Sequence, residues 1–485
     1  MQKTSNISPF ETKLFYAYGL LIVAFTLLGF YFNQKVFFAV PAIFPLAYLA
    51  VTDFKKIYFA LLFLIPLSIE FQVTESLGTD LPTEPLMVCL MLAIILYLIK
   101  NAKKIDFSFF LNPIMILLGI HLFWIFLTSF TSLIPLNSFK FLLAKIWYIF
   151  AFFIATAILI RSNKDLKTLF WIFFIPLTFT AVWGLFWHSF TGFHFDEINR
   201  SITPFFRNHV VYANFLTIFL PFIFLARTWY PSASAKRRLL NLGVFIFLMA
   251  IYFSYTRAAY LALIAMSLGY FIVHFRVIKL ALLSSIIGVI FIFGFITKNN
   301  YYLKYQPSIK TVSHHELSDI IDATLKGTDV SSMERIYRWI AAVHMANERP
   351  LTGFGPNGFV PNYKNYTVFL FETWISENEE QSGVHNYFLM TLVEQGFIGL
   401  FIFVGILIAF FMFGEKQFHK LKIQENKNIV LALMLSMIAI VVSLVFSDMI
   451  EVDKTGSFFF INLALLVLVS RDFKGLMFFE KKKSI

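Results

Sequence analysis

Residues 385–413 read HNYFLMTLVEQGFIGLFIFVGILIAFFMF, a stretch with one carboxylate, Glu394, and no lysine or arginine. An α-helix of about 20 apolar residues is long enough to cross the roughly 30 Å hydrocarbon core of a bilayer. Comparable apolar runs recur along most of the 485-residue chain. The sequence therefore predicts a protein that is embedded in a membrane.

The composition excludes several other classes of protein. Hydrophobic residues make up 59% of the chain and charged residues 14%, with 64 phenylalanines and a mean hydropathy of +0.74. These values exclude a disordered or collagen-like chain. The single cysteine, Cys89, lies within an apolar run and excludes an intramolecular disulfide framework.

Hydropathy predicts an all-α polytopic membrane protein with about 12–14 transmembrane helices. The predicted spans centre on residues 14–32, 36–51, 57–71, 86–99, 113–131, 141–160, 169–190, 209–229, 239–255, 258–275, 277–297, 385–413, 429–446 and 457–470.

The net charge is +12, and the basic residues are distributed along the chain as the predicted topology requires. Most lysines and arginines lie at the two termini and in alternate connections, which the positive-inside rule places in the cytoplasm. Both termini are therefore predicted to be cytoplasmic, with Lys481, Lys482 and Lys483 next to anionic lipid headgroups. Membrane lipids are the expected partners of these basic residues, and no nucleic-acid partner is expected.

One connection is much longer than the others and falls on the external side. We predict three regions: a helix bundle over 1–297, a large external loop domain with short helices over 298–384, and helices with a basic cytoplasmic tail over 385–485. A loop of this length is usually functional rather than a simple connection.

Within the loop domain, SSMERIYRWIAAVHMANERP (331–350) predicts a helix. Ser331 and Glu334 form a capping-box pattern at its start, and Pro350 prevents its continuation. Arg335 and Arg338 are three residues apart and project from the same side. Two such guanidinium groups can bind a diphosphate, although an ordinary solvated helix face has the same pattern.

The next stretch, PLTGFGPNGF (350–359), matches the letters Gly-x-Gly-x-x-Gly. A dinucleotide site requires a strand before this motif and a helix after it. Here a predicted helix precedes it, and Pro356 and Pro361 disfavour a helix directly after it. A tight turn that packs closely against a helix or a ligand is the better interpretation.

His385 and Asn386 lie where the loop domain re-enters the membrane. A histidine at this position can accept a proton from a hydroxyl near neutral pH, although a lone interfacial histidine is more often a polar anchor. Arg207 and Arg257 begin two other predicted spans on the same side, where arginine is costly unless it is paired or functional. The predicted topology brings the candidate residues to one face of the membrane: Arg207, Arg257, Arg335, Arg338, His385 and Asn386.

Over roughly residues 200–410 these stretches resemble the O-antigen ligase and O-antigen polymerase superfamily of bacterial envelope glycosyltransferases. The resemblance rests on five features in order. They are Arg207 and Asn214 before LPFIF, TRAAYLAL (256–263), Arg335 with Trp339, PLTGFGPNGF (350–359) and HNYFLMTLVEQGFIGL (385–400).

The resemblance implies that a glycan is transferred from undecaprenyl diphosphate to an acceptor hydroxyl at the external, periplasmic face of the bacterial inner membrane. The acceptor is the lipid A core in a ligase and another lipid-linked glycan in a polymerase. His385 would be the general base and Arg335 the principal diphosphate contact. Supporting substrate contacts would come from Arg207, Arg257, Arg338 and Asn386.

The resemblance implies no metal or cofactor, because members of the superfamily act without one. The adjacent His314, His315 and Glu316 are expected to be a loop feature rather than a metal site, because neighbouring side chains on a helix point apart.

Two alternatives remain open. A lipid-linked oligosaccharide flippase also has many spans, but it is expected to show repeat symmetry, and none is visible between the halves of this sequence. The other alternative is a glycosyltransferase with a carboxylate base in the first external loops, where Glu70, Glu75, Asp80 and Glu84 are candidates.

Overall fold

The structure is a computed structural model that describes residues 9–33, 36–74, 77–297, 330–367 and 382–477. Almost all of these residues are helical. The principal helices are α1 (Pro9–Phe32), α2 (Val36–Leu64), α3 (Thr83–Lys100), α4 (Pro113–Phe130), α5 (Pro135–Tyr148), α6 (Ala155–Leu159), α7 (Asn163–Phe190), α8 (Ile198–Ser201), α9 (His209–Arg227), α10 (Ala235–Tyr252), α11 (Arg257–His274), α12 (Ile278–Thr297), α13 (Val330–Glu348), α14 (Phe359–Asn362), α15 (Tyr387–Lys420), α16 (Gln424–Phe446) and α17 (Asp453–Ser470). A π-helical segment, Ile149–Ile154, joins α5 to α6.

Within the described residues, 10 helices are long and apolar enough to cross a membrane. This result confirms the predicted all-α polytopic class with a lower count than the 12–14 predicted. Two physical features account for part of the difference. The helix α2 merges two predicted spans across a break at Asp53, and α10 begins with Lys236, Arg237 and Arg238, which shorten its uncharged stretch.

The helices α17 and α9 form the centre of the bundle. Within the apolar window of each, 94% of the residues of α17 and 83% of those of α9 are buried, compared with 6% in α1. Phe458 of α17 packs between aromatic rings of α7 and α9, including Phe173 and Phe219. A helix surrounded by protein on all sides has no lipid-facing stripe. It can therefore carry polar side chains at its start, as α17 does with Asp453 and Lys454.

A two-stranded antiparallel hairpin follows α2. Its strands, β1 (Ile69–Thr74) and β2 (Leu77–Leu81), pair with Glu70 opposite Asp80. Directly paired residues point to the same side of an antiparallel hairpin, so these two carboxylates share one face. The predicted span over 57–71 is therefore wrong beyond Leu64, where the helix ends.

The described part of the predicted loop domain consists of residues 330–367 and 382–384. The predicted helix is confirmed as α13, which ends two residues before Pro350. The short helix α14 and a 3₁₀ turn, Tyr363–Tyr366, follow. The adjacent His314, His315 and Glu316, predicted to be a loop feature, lie outside the described residues. The predicted division into three domains stays a prediction.

The glycine-rich turn after α13 packs against a break in α15. At Gly396 the backbone has a φ of +69°, and a Cβ atom there would lie 2.1 Å from the Leu351 carbonyl oxygen. The backbone N–H groups of Phe354 and Gly355 donate to the carbonyls of Val393 and Glu394, both at 2.9 Å. These contacts agree with the interpretation of 350–359 as a tight turn packed against a helix. The element before the turn is the helix α13 rather than the strand that a dinucleotide site requires.

Replacing Gly396 by alanine should destabilise this junction. Alanine would be strained at positive φ, at a cost of about 1–3 kcal/mol, and its methyl group would collide with backbone. We expect a lower thermal unfolding midpoint for purified Gly396→Ala in detergent, or loss of the folded protein. The matched control is Gly405→Ala in the same helix, where a Cβ would meet its nearest neighbour at an ordinary 3.8 Å. Equal midpoints for the two variants would contradict the structural role of Gly396.

Candidate active site

A polar cavity of about 1050 Å³ lies at one end of the bundle. Its wall is formed by the hairpin, the residues that lead into α9, the side chain of Arg335 on α13, residues 382–385 and the connection between α16 and α17. Three of the six predicted site residues line it: Arg207, Arg335 and His385. Residues far apart in the sequence are thus brought to one site, as the shared-face prediction requires.

A second cavity of about 660 Å³ lies between α9, α10, α11 and α16. The side chains that line it include Leu220, Phe224, Leu263 and Leu435, and none of the lining residues is charged. This cavity suits hydrocarbon rather than a diphosphate, so the polar cavity is the candidate active site.

His385 lies directly before α15 in a left-handed backbone conformation, with a φ of +56°. This conformation is uncommon for a residue other than glycine and is frequent at functional sites. The next residue, Asn386, caps the helix, because its side-chain oxygen accepts the backbone N–H of Leu389 at 3.0 Å. The position of Asn386 thus favours a role in fixing the start of α15 next to His385.

The His385 ring is held neutral by its surroundings. Burial lowers its pKa to about 4, and the positive charges of Arg335 and Arg338 act in the same direction. A pKa in this range leaves the imidazole unprotonated at neutral pH with a lone pair that can accept a proton. Among the described residues, Glu334 forms an ion-pair contact with this ring, because its Oε1 lies 3.9 Å from His385 Nε2.

Arg338, unlike Arg335, is not among the residues that line the cavity. Its side chain is 1% exposed, and Nε and Nη2 donate to Glu334 Oε1 at 3.2 and 2.9 Å. Nη1 donates to the carbonyls of Ser382 and Gly383 at 2.7 and 3.3 Å. These bonds tie α13 to the segment that carries His385, so the geometry favours positioning rather than substrate contact.

Arg207 and Arg257 flank the site differently. The side chain of Arg207 is 73% exposed and its Nη1 lies 3.5 Å from Glu70 Oε1, so it is available to a ligand at the mouth of the cavity. Arg257 begins α11 and does not line the cavity, but its guanidinium and that of Arg335 both act electrostatically on the His209 ring. His209 therefore lies within the electrostatic reach of both guanidinium groups.

The acidic side of this cavity was not predicted from the sequence as part of one site. Carboxylates from the hairpin, from α3 and from the α16–α17 connection line it: Glu70, Asp80, Glu84, Asp448 and Glu451. Burial, with the nearby negative charge of Asp453, raises the pKa of Asp80 to about 7. The candidate carboxylates Glu70, Asp80 and Glu84 thus share the cavity with His385, whereas Glu75 lies outside the described residues.

Lys454 also lines the cavity and gave no functional signal in the sequence. Its Nζ donates to Ser68 Oγ at 2.6 Å, and the same hydroxyl donates to the neighbouring Asp453 at 3.0 Å. Thr83 also donates to Asp453, at 2.8 Å. These contacts join the first and last parts of the chain, and no local motif could have revealed them.

A partly buried ion pair includes one of the carboxylates that line the cavity, Glu451. Lys145 Nζ lies 2.6 Å from Glu451 Oε1, and the Tyr387 hydroxyl donates to the same oxygen at 2.9 Å. Tyr387 is the first residue of α15, so this pair fixes the start of the helix that follows His385. Among the described residues, no group of three or more His, Cys, Asp and Glu side chains is arranged to hold a metal ion.

The fold and the site together define a polytopic membrane protein with arginines, an imidazole and carboxylates in one cavity at a bundle end. Residues 242–404 match a family model described as O-antigen ligase. The chain is therefore a membrane enzyme that carries the O-antigen ligase family domain, which confirms the resemblance seen in the sequence. The matched region includes Arg257, Arg335, Arg338 and His385 but not Arg207. None of the curated protein sequences matches the chain.

Replacing Arg338 should reduce stability. Removing one member of a buried ion pair typically costs about 3–5 kcal/mol, and here two backbone carbonyls also lose their donor. We expect Arg338→Ala to unfold at a clearly lower temperature than the wild type in detergent. Asn347→Ala, at an exposed position of the same helix, is the matched control and should unfold like the wild type. Wild-type stability of Arg338→Ala would contradict the positioning role.

Proposed function

We propose that this enzyme transfers a glycan from undecaprenyl diphosphate to an acceptor hydroxyl at the outer face of the bacterial inner membrane. The observation that carries the proposal is the shared cavity of Arg335 and His385, in which the arginine acts electrostatically on the imidazole. The family match supports the enzyme rather than the flippase alternative. The cavity volume of about 1050 Å³ is at the upper end of ordinary ligand pockets and suits a sugar diphosphate.

Arg335 is the proposed principal contact of the donor diphosphate. When the bond between the anomeric carbon and the diphosphate oxygen breaks, its electron pair stays on the departing diphosphate. A fixed guanidinium stabilises that negative charge as it develops. Arg207 is exposed at the mouth of the same cavity and provides a second cation. We keep Arg257 as a supporting contact because its guanidinium and that of Arg335 both act electrostatically on His209.

His385 is the proposed general base. The acceptor hydroxyl oxygen attacks the anomeric carbon, and the hydroxyl proton passes to the ring of His385. The neutral state that burial enforces at pH 7 keeps this ring ready to accept the proton. Asn386 and Arg338 support the reaction by holding the segment in which His385 lies.

We propose that the cavity faces the periplasm and that both termini lie in the cytoplasm. The distribution of lysine and arginine supports this orientation, because the short connections on the cavity side carry few of them. The acceptor is either the lipid A core, as in a ligase, or another lipid-linked glycan, as in a polymerase. Both acceptors present a sugar hydroxyl, so the same base and the same diphosphate contact serve either reaction.

Replacing His385 by alanine should abolish transfer, because a positioned general base contributes about 10²–10⁴-fold to the rate. The measurement is the envelope glycolipid profile of a deletion strain that expresses each variant, with membrane insertion checked by immunoblot. Restoration of polymer on lipid A by the wild type would identify a ligase, and restoration of chain length beyond single repeats would identify a polymerase.

Arg335→Lys is the companion variant, since it keeps the charge but loses the planar fork of donors. We expect it to be impaired but more active than Arg335→Ala. His344 is exposed on the same helix as Arg335, and His344→Ala is the matched control that should transfer normally. Wild-type product from His385→Ala would rule out the proposed mechanism.

The pH dependence distinguishes His385 from Asp80 as the base. A base works only when deprotonated, so kcat/KM falls as the pH drops through the pKa of that group in the free enzyme. With His385 as the base the fall comes near the pKa of about 4, and with Asp80 near about 7. We expect kcat/KM to stay level between about pH 8 and 5, apart from any change in substrate ionisation.

Asp80→Asn provides the control for this profile. It removes the titrating carboxyl but leaves His385 in place, so the variant should keep the acid limb of the wild type. A limb near pH 7 that disappears in Asp80→Asn would transfer the role of base to the hairpin carboxylate.

A further inference from the structure

Glu334 lies between the guanidinium of Arg338 and the ring of His385, the proposed base. A single oxygen, Oε1, accepts two N–H groups of Arg338 and lies 3.9 Å from Nε2 of His385. Its side chain is 23% exposed, so the carboxylate is largely withdrawn from bulk water. In the sequence, Glu334 appeared only as part of a capping pattern, and its contacts with Arg338 and His385 were not predicted.

We propose that Glu334 is a positioning residue that stabilises the protonated form of His385 during transfer. This inference rests on the proposed function, because it concerns the proton that His385 accepts from the acceptor hydroxyl. On the neutral ring, an N–H at Nε2 faces Glu334 and leaves the lone pair on Nδ1 for that proton. When Nδ1 takes the proton, the ring becomes a cation within 3.9 Å of a carboxylate.

The charges that face His385 make such a counter-charge necessary. Arg335 and Arg338, both on α13, oppose a positive charge on the ring. From the α16–α17 connection, the carboxylate of Asp448 is bonded to the backbone N–H of His385. Burial and the neighbouring Glu451 raise the pKa of Asp448. Within the part of the chain that the structure describes, Glu334 is the carboxylate that lies at ion-pair distance from the ring itself.

Arg338 keeps the Glu334 carboxylate in place. Its two N–H groups fix the position of Oε1, and its third nitrogen fixes the carbonyls of Ser382 and Gly383 just before His385. The segment just before the base and the counter-charge are therefore attached to the same buried guanidinium. This arrangement orients the imidazole before the acceptor arrives, so no reorganisation is needed as the proton moves.

The test compares Glu334→Gln with the wild type in purified transfer assays. Glutamine can still accept the Arg338 N–H groups through its amide oxygen, but it carries no charge. We expect kcat to fall roughly 10- to 100-fold while KM for the donor stays unchanged, because Arg335 and Arg207 are untouched. Glu334→Asp retains the charge and should recover part of the lost kcat.

The control removes a charge from the same helix at a distance from the base. Glu348 is exposed and accepts the Tyr366 hydroxyl, so Glu348→Gln should keep both kcat and KM. Wild-type kcat in Glu334→Gln, or an equal loss in Glu348→Gln, would overturn the proposal. If the wild type itself transfers no glycan, the proposed function fails instead, so the two failures are distinguishable.

A second readout does not depend on transfer. Diethyl pyrocarbonate acylates neutral imidazole, and mass spectrometry of the peptide that contains His385 follows its titration. Loss of the Glu334 charge disfavours the imidazolium, so the midpoint for Glu334→Gln should move to a lower pH than in the wild type. If Glu334 only supported the fold, its loss would expose the ring, and the midpoint would rise towards the ordinary value of about 6.5. An unmoved or raised midpoint would overturn the proposal.

Discussion

The site depends on how the break in α15 is satisfied. Inside a membrane, a helix that loses backbone hydrogen bonds must find other partners for them within the protein. At Gly396 the freed carbonyls of Val393 and Glu394 accept N–H groups from the turn at Phe354 and Gly355, and Phe397 donates to the carbonyl of Pro350. Trp124 Nε1 donates to the Gln395 carbonyl at 2.8 Å. Residues 350–355 are thereby fixed to the membrane helix, which also fixes the end of α13.

This junction explains how Arg335, which belongs to α13, comes to lie at the end of the bundle. The helix α13 leads directly into the turn, so the turn determines where α13 lies relative to α15. Arg338 makes a second attachment, between α13 and the segment before His385, by donating to the carbonyls of Ser382 and Gly383. Arg335 and His385, which belong to different segments, are held in one cavity by these two attachments.

The fold class could be predicted from the sequence, whereas the roles of the predicted site residues stay predictions. Hydropathy reports the transfer of side chains into lipid, and it located the membrane helices even though it missed the end of α2 at Leu64. The hairpin was missed because β1, with the sequence IEFQVT, is short and apolar enough to be taken for the end of a span. Arginines and a histidine at predicted helix ends were visible as polar residues in costly positions. In the structure, Arg335 and His385 line the same cavity.

The remaining features of the site depend on contacts between distant parts of the chain. The burial of Arg338 and the proximity of Glu334 to His385 follow from how α13 docks, which no local pattern encodes. Likewise, Lys454 is bonded to Ser68, just before the hairpin, although the two residues are separated by almost the whole sequence. A sequence reveals which residues are costly in a membrane, but it does not reveal which of them are paired with one another.

The most direct test is a structure of the enzyme in a lipid nanodisc with an undecaprenyl diphosphate glycan whose anomeric oxygen is replaced by methylene, so that transfer cannot occur. We predict that the diphosphate contacts the guanidinium of Arg335 and that the anomeric carbon lies beside the ring of His385. A diphosphate bound away from Arg335, or a His385 ring that cannot reach the anomeric carbon through an acceptor hydroxyl, would contradict it.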